Sequence, residues 1–221
     1  MRPLGYGVLA VLMVLGSVAV PQLAGQAPKK KETKEPPQIF YLEFNGKKIP
    51  VELDKPIKTD AFGGANAVTL RVEPYRVFPY GGLSFHYPRE YSFEVSIEDE
   101  VSSWTLDGTD CILMVHRFHA EIGHQEAVDA VETQLLAAYK KHKIKKSAVK
   151  LNIRGKEIKG RSIVVELVEG VSIRQDLYSF PAGKSAVILI IQDSPGDDGK
   201  PSADWTRAVK LLGETFRAPT R

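Results

Sequence analysis

RSIVVELVEGVSIRQDLYSFPAGKSAVILIIQ, residues 161–192, decides how this chain is read. The stretch holds three apolar runs, Arg161–Val168, Val171–Phe180 and Ser185–Gln192. Glu169-Gly170 and Pro181-Ala182-Gly183 separate them. Gly and Pro supply the backbone angles that tight reversals need. Turns this short force neighbouring strands to pair antiparallel. Upstream, Ala148–Ile153 adds a further strand, with Gly155 and Gly160 marking the turns after it. The stretch therefore predicts an antiparallel meander.

Helical patterns stand on both sides of the meander. Over Gln125–His142, Val128, Val131, Leu135 and Tyr139 recur at steps of three and four, and Leu136 widens the stripe. That spacing puts the apolar side chains on one helical face. Glu126 near the start and Lys140, Lys141 and Lys143 near the end suit the helix dipole. After the meander comes a polar loop, Ser194–Pro201. Ser202 then caps a second helix, with Trp205, Val209, Leu212 and Phe216 as its buried stripe.

Ahead of the first helix the pattern is again strand-like. Leu83–Tyr87 alternates and stops at Pro88. Tyr91–Ile97 puts Phe93, Val95 and Ile97 on one face. Trp104 and Leu106 lie on a third strand, ended by Asp107-Gly108. Cys111–His119 is nearly continuous in apolar residues, as at the centre of a sheet. Two amphipathic helices need an apolar surface to cover, and an antiparallel sheet offers one. The fold class predicted is α+β, an antiparallel β-sheet flanked by helices, over residues 80–218.

Residues 38–79 read as a small β extension. Ile39–Phe44 and Lys48–Leu53 flank Asn45-Gly46, the pair that accepts the positive φ angles of a type I′ turn. Val68, Leu70 and Val72 alternate after the Gly63-Gly64 loop. Residues 28–37 are charged, lack large apolar groups and end in Pro36-Pro37. They read as a flexible linker, with a basic interaction tail as the alternative.

Residues 1–27 read as an export signal. Arg2 is followed by an apolar run from Val8 to Val20, broken only by Gly16 and Ser17. At about 13 residues the run is too short to cross a bilayer core of roughly 30 Å. Small residues follow Pro21, and cleavage after Ala27 would leave Gly25 at −3 and Ala27 at −1. Cleavage after Gly25 and an uncleaved anchor are the alternatives. No cysteine near the cut suggests a lipid anchor. The expected location is periplasmic or extracellular, and no later apolar run is long enough to span a membrane. The lone Cys111 excludes an internal disulfide.

The strand Leu83–Tyr87 closing on Pro88 resembles the opening strand of the PsbP/Mog1-like superfamily. An internal helix, a meander ending in the apolar Ala186–Ile191, and a terminal helix with Phe216 near its end are similar too. The resemblance implies an α/β/α sandwich over residues 80–218. It brings no catalytic motif, since members are mostly non-enzymatic, so it does not transfer a function. The hairpin at 38–53 lies outside the resemblance.

His116, His119 and His124 are the most suggestive group for metal chemistry. On a strand, His116 and His119 point to opposite faces, whereas a metal needs convergent ligands. Only an early strand end, with residues 120–123 folding back, would bring His119 and His124 together. Cys111 reads as a packed small residue. Lys140, Lys141, Lys143, Lys145 and Lys146 crowd the helix end and the next loop, with Lys150, Lys156 and Lys159 beyond. They read either as a solvated face or as a contact for anionic surfaces.

A formal net charge of +3, and Tyr139 as the block's only aromatic, do not point to nucleic acid. The acidic groups Glu98, Asp99, Glu100, Asp107 and Asp110 lack EF-hand spacing, and neither G-x-S-x-G nor HExxH occurs. The sequence thus predicts an exported, non-catalytic binding or accessory domain that needs no cofactor. Its partner is unidentified, with another envelope protein the first candidate. The alternatives are a metal-dependent enzyme or metal-binding protein using the histidines, and an envelope-associated protein using the lysines.

Overall fold

The structure is a computed structural model and describes residues 34–52, 55, 57, 68–168, 170–196 and 198–218. The export signal, most of the linker and the Gly63-Gly64 loop lie outside the described residues.

The strands in chain order are β1 (Phe40–Phe44), β2 (Lys47–Val51), β3 (Thr69–Val72), β4 (Tyr75–Phe78), β5 (Phe85–Pro88), β6 (Ser92–Ile97), β7 (Val101–Asp107) and β8 (Cys111–Phe118). Helix α1 (His124–Ala138) follows, then β9 (Lys143–Ile153), β10 (Lys156–Val168), β11 (Val171–Ala182), β12 (Ser185–Asp193) and α2 (Ala203–Thr215). The main sheet has seven strands in the order β6-β7-β8-β12-β11-β10-β9. All its neighbours pair antiparallel. The apolar run Ser185–Gln192 sits at the centre, where both faces are covered, and Ala186–Ile191 is wholly buried.

Strand alternation divides the core in two. Val187, Leu189 and Ile191 face one way, with Leu113, Val115, Trp104, Tyr178 and Phe180. Helix α2 and β4–β5 close that side through Leu212, Phe216, Phe78 and Phe85. Ile188 and Ile190 face the other way, with Ile163, Val165 and Leu177, under Val128, Val131 and Leu135 of α1.

The expected helix-flanked α/β/α sandwich is corrected: the fold is β-rich, with twelve strands and two helices among the described residues. The helical periodicity marked real helices, but one on each face is too few to form layers. A packed helix covers about 10–12 Å of a sheet's width. A sheet of seven strands is roughly 29 Å wide. Helix α1 lies on β11 and β12. Beyond it the same face of β6–β8 carries Ser92, Glu94, Ser96, Ser103 and Thr105, all at least partly exposed.

Several boundaries move for physical reasons. Helix α1 ends at Ala138, with Tyr139 as its C-cap, and β9 begins at Lys143. Lysine and alanine are poor strand formers. Pairing with β10 from Glu166↔Lys143 to Lys156↔Ile153 nevertheless holds Lys143–Ala148 extended. Gly160 lies inside β10 rather than in a turn. A Cβ there would come within 2.6 Å of the Leu177 carbonyl oxygen and the Tyr178 ring. The glycine lets β11 and its tyrosine approach.

The N-terminal region forms a three-stranded sheet, β2-β1-β3. Asn45 and Gly46 both take positive φ, 45° and 72°, as the predicted turn requires. Strands β4 and β5 pair with each other, and Phe78 is part of the main core, so the main body already includes Tyr75–Phe78. Residues 34–36 are held against this hairpin. Pro36 is buried, Glu35 pairs with Arg76, and the Tyr80 hydroxyl donates to the Lys34 carbonyl.

Candidate functional site

Strand β9 is an edge of the main sheet, bonded only to β10. Lys143, Lys145, Lys146 and Lys150 stand exposed along it, and Lys140 and Lys141 are exposed in the turn just before it. Lysines on an edge strand discourage edge-to-edge pairing with other chains, which explains part of this pattern. It does not explain Lys140 and Lys141, which precede the strand.

The lysines differ in their engagement. Lys146 pairs with Glu132 of α1 at 3.1 Å, and Arg161 pairs with the same carboxylate at 2.5 Å. Burial pushes the Glu132 carboxyl up, but the Arg161 and Lys146 hydrogen bonds outweigh it and leave its pKa lowered. Lys146 is thus a structural clamp. Lys143 pairs with Glu166 at 3.1 Å and Lys150 with Glu157 at 2.8 Å, with both partners well exposed. Such pairs are worth about 0–1 kcal/mol and exchange readily for an outside anion. Among the described residues, Lys140, Lys141 and Lys145 form no ion pair.

The three histidines do not converge. His116, on β8, meets the Ser103 hydroxyl at 2.8 Å through Nδ1. His119 follows the strand and meets the neighbouring Ser102 at 2.8 Å through Nε2. Successive residues of β7 point to opposite faces, so these two imidazoles are on opposite sides of the sheet. His124 opens α1 and meets Ser179 at 3.2 Å. Among the described residues no group of three His, Cys, Asp or Glu side chains is placed to hold a metal ion.

Burial lowers the pKa of His116 to about 4, so it is neutral at pH 7. His119 Nδ1 lies 3.0 Å from the Asp99 carbonyl, which can only accept. Nε2 is then left to accept from Ser102. Those are the roles of a base and a nucleophile, but Ser102 is only 1% exposed and no substrate reaches its hydroxyl. Cys111 is fully buried, and burial raises its thiol pKa far above the ordinary value.

Apart from the Ser202 cap, one polar cluster escaped the sequence reading. At the start of α2, the buried Asp193 carboxylate accepts from the Ser202 N–H, at 3.3 and 3.4 Å to its two oxygens. Ser202 Oγ accepts from the Trp205 N–H at 3.0 Å. Arg174 forks onto buried Asp176 at 2.9 and 2.7 Å and lies over the Trp205 ring at 5.2 Å. Asp204 accepts from the Tyr91 hydroxyl at 2.8 Å and the Thr109 N–H at 3.0 Å. The Asp193–Ser202, Arg174–Trp205, Asp204–Tyr91 and Asp204–Thr109 contacts join the start of α2 to the sheet and its turns, so the cluster reads as a structural fastening. Its signal was Arg174-Gln175-Asp176, a polar run within an otherwise apolar strand.

A second feature also escaped the sequence reading. The β10–β11 turn carries Val168 and Val171 opposite each other, 63% and 51% exposed. Leu167, Ile173, Ile144 and Tyr139 beneath them belong to the α1-side core. This turn therefore shares one corner of the molecule with the segment after α1.

The chain matches no family model, and no curated protein matches it. It is similar to a solved protein of unknown function from Pseudomonas aeruginosa, at 16% identity and a TM-score of 0.29. The match covers 57% of this chain and 86% of that one. A likeness of this size carries no argument, and nothing in these comparisons supports the PsbP/Mog1-like resemblance. Among the described residues, no helix is long and apolar enough to cross a membrane.

Proposed function

We propose that this chain is an exported, non-catalytic binding domain that engages anionic material of the cell envelope through Lys140, Lys141, Lys143 and Lys145. The observation that carries the reading is their placement. They occupy one exposed corner, from the turn after α1 into the edge strand β9, and only Lys143 is paired, weakly. Like charges held together at a surface are unfavourable for folding, and a bound polyanion relieves that repulsion. The separate serine partners of the histidines support the non-catalytic part.

Binding to heparin, used as a soluble polyanion, tests the reading. Wild-type protein should bind, and the affinity should fall as salt rises, because exposed charges are screened over about 8–10 Å at physiological ionic strength. A K140Q/K141Q/K143Q/K145Q variant should lose most of the affinity while keeping or raising its thermal midpoint, since the repulsion among the lysines is relieved. Equal binding by that variant would overturn the assignment. Turnover of a defined substrate, abolished by a single substitution, would overturn the non-catalytic part.

A further inference from the structure

We infer that the same corner is a contact for an anionic lipid bilayer, in which the tip of the β10–β11 hairpin enters the headgroup region. This rests on the basic-surface reading above and adds an apolar element to it. Val168 and Val171 are two of the four large apolar side chains exposed among the described residues. They sit opposite each other at the end of a hairpin, with Gly170 at φ +78° making the turn between them.

The basic residues sit beside that tip. Glu166 of β10 is in register with Lys143, which fixes the start of β9 next to the hairpin end. Tyr139 and Ile144 pack in the same core as Leu167 and Ile173. Lys140 and Lys141 follow Tyr139 directly, at the same end of the sheet as the hairpin tip, while Lys143 and Lys145, which alternate with Ile144 along β9, project from the opposite face at that edge. The negative groups here are Glu166, paired with Lys143, and Glu169, which the sequence places in the turn.

Lysines alone would suffice for a soluble polyanion, which offers nothing to a valine. A stable protein interface buries about 800 Å² on each side, far more than two valines present. An apolar tip with lysines along one side fits the boundary of an anionic bilayer, where valine meets acyl chain and ammonium meets phosphate. The contact is peripheral and needs no spanning segment.

The test uses the full chain and a dye that reports local polarity. Buried Cys111 leaves an introduced cysteine as the site of labelling. Dye on Val168→Cys should shift to the blue with phosphatidylglycerol-containing vesicles. It should not shift with phosphatidylcholine vesicles or heparin. Dye on Lys156→Cys, at the far end of β10, should not shift. A V168S/V171S variant should bind the anionic vesicles about tenfold more weakly and bind heparin as wild type does. A K140Q/K141Q/K145Q variant should weaken both, by about fivefold per lysine at the vesicle.

Anionic vesicles that bind without a shift at position 168 would overturn the lipid contact and leave the basic-surface reading standing. Heparin binding without vesicle binding would do the same and point to a soluble polymer. Binding to neither would overturn both readings.

Discussion

The two faces of the main sheet are closed in different ways. The α1 side is aliphatic: Ile163, Val165, Leu177, Ile188 and Ile190 meet Val128, Val131 and Leu135, and among the described residues Tyr139 is its only fully buried aromatic. The α2 side is aromatic, with Phe78, Phe85, Tyr87, Tyr91, Trp104, Tyr178, Phe180 and Phe216. One straight helix suffices for the first face. The second is assembled from a hairpin near residue 80 and a helix beyond residue 200, which leave irregular gaps between them. Large rings fill such gaps with few residues and stack at defined angles, as Tyr80 and Trp104 do at 5.9 Å. The aliphatic face tolerates local adjustment; the aromatic face depends on shapes that meet from distant parts of the chain.

Trp104→Ala should break the aromatic face most severely, costing about 4 kcal/mol in denaturant unfolding, against about 3 kcal/mol for Leu135→Ala across the sheet. Equal costs would mean that the two faces are closed alike. Gly160→Ala comes next, at about 2 kcal/mol, because the added methyl meets the Leu177 carbonyl and the Tyr178 ring. A neutral effect would show that β10 and β11 can separate there.

The legibility of the sequence divides along the same line. The aliphatic face could be read because strand alternation and a helical stripe are local periodicities. The Asn45-Gly46 turn and the Ser202 cap were legible for the same reason. On the aromatic face Leu83–Tyr87, the Trp104 strand and the α2 stripe were legible too, but the strand Tyr75–Phe78 that pairs with Phe85–Pro88 was not, because four residues carry no alternation long enough to announce it. The lysines on β9 were read as a helix end and a loop, since their propensity opposes a strand and only pairing with β10 overrides it. At the candidate site, the basic residues were visible as a run. The valine tip beside them was not, because it depends on how far β10 and β11 extend past β9.

Smaller effects should separate the two helices. Glu132 fastens α1 through Arg161 and Lys146, and its pKa is lowered. Its contribution is present above the unfolded pKa, near 4.5, and is lost as pH falls through the folded value. Glu132→Gln should therefore cost about 1 kcal/mol at pH 7 and nothing in strong acid, in thermal unfolding followed across pH. A pH-independent cost would show that packing, not charge, is what Gln disturbs. On the other face, Ser202→Ala should cost about 1 kcal/mol at pH 7, by removing the cap on the Trp205 N–H.

The chain enters and leaves the described body on one hairpin. Glu35 and Lys34 are held by Arg76 and Tyr80, while Arg217 exchanges backbone hydrogen bonds of 2.7 and 3.1 Å with Ser84. A pull on the two ends would load this corner first. The small hairpin would act as a mechanical fuse, yielding while the central strands of the main sheet stayed paired.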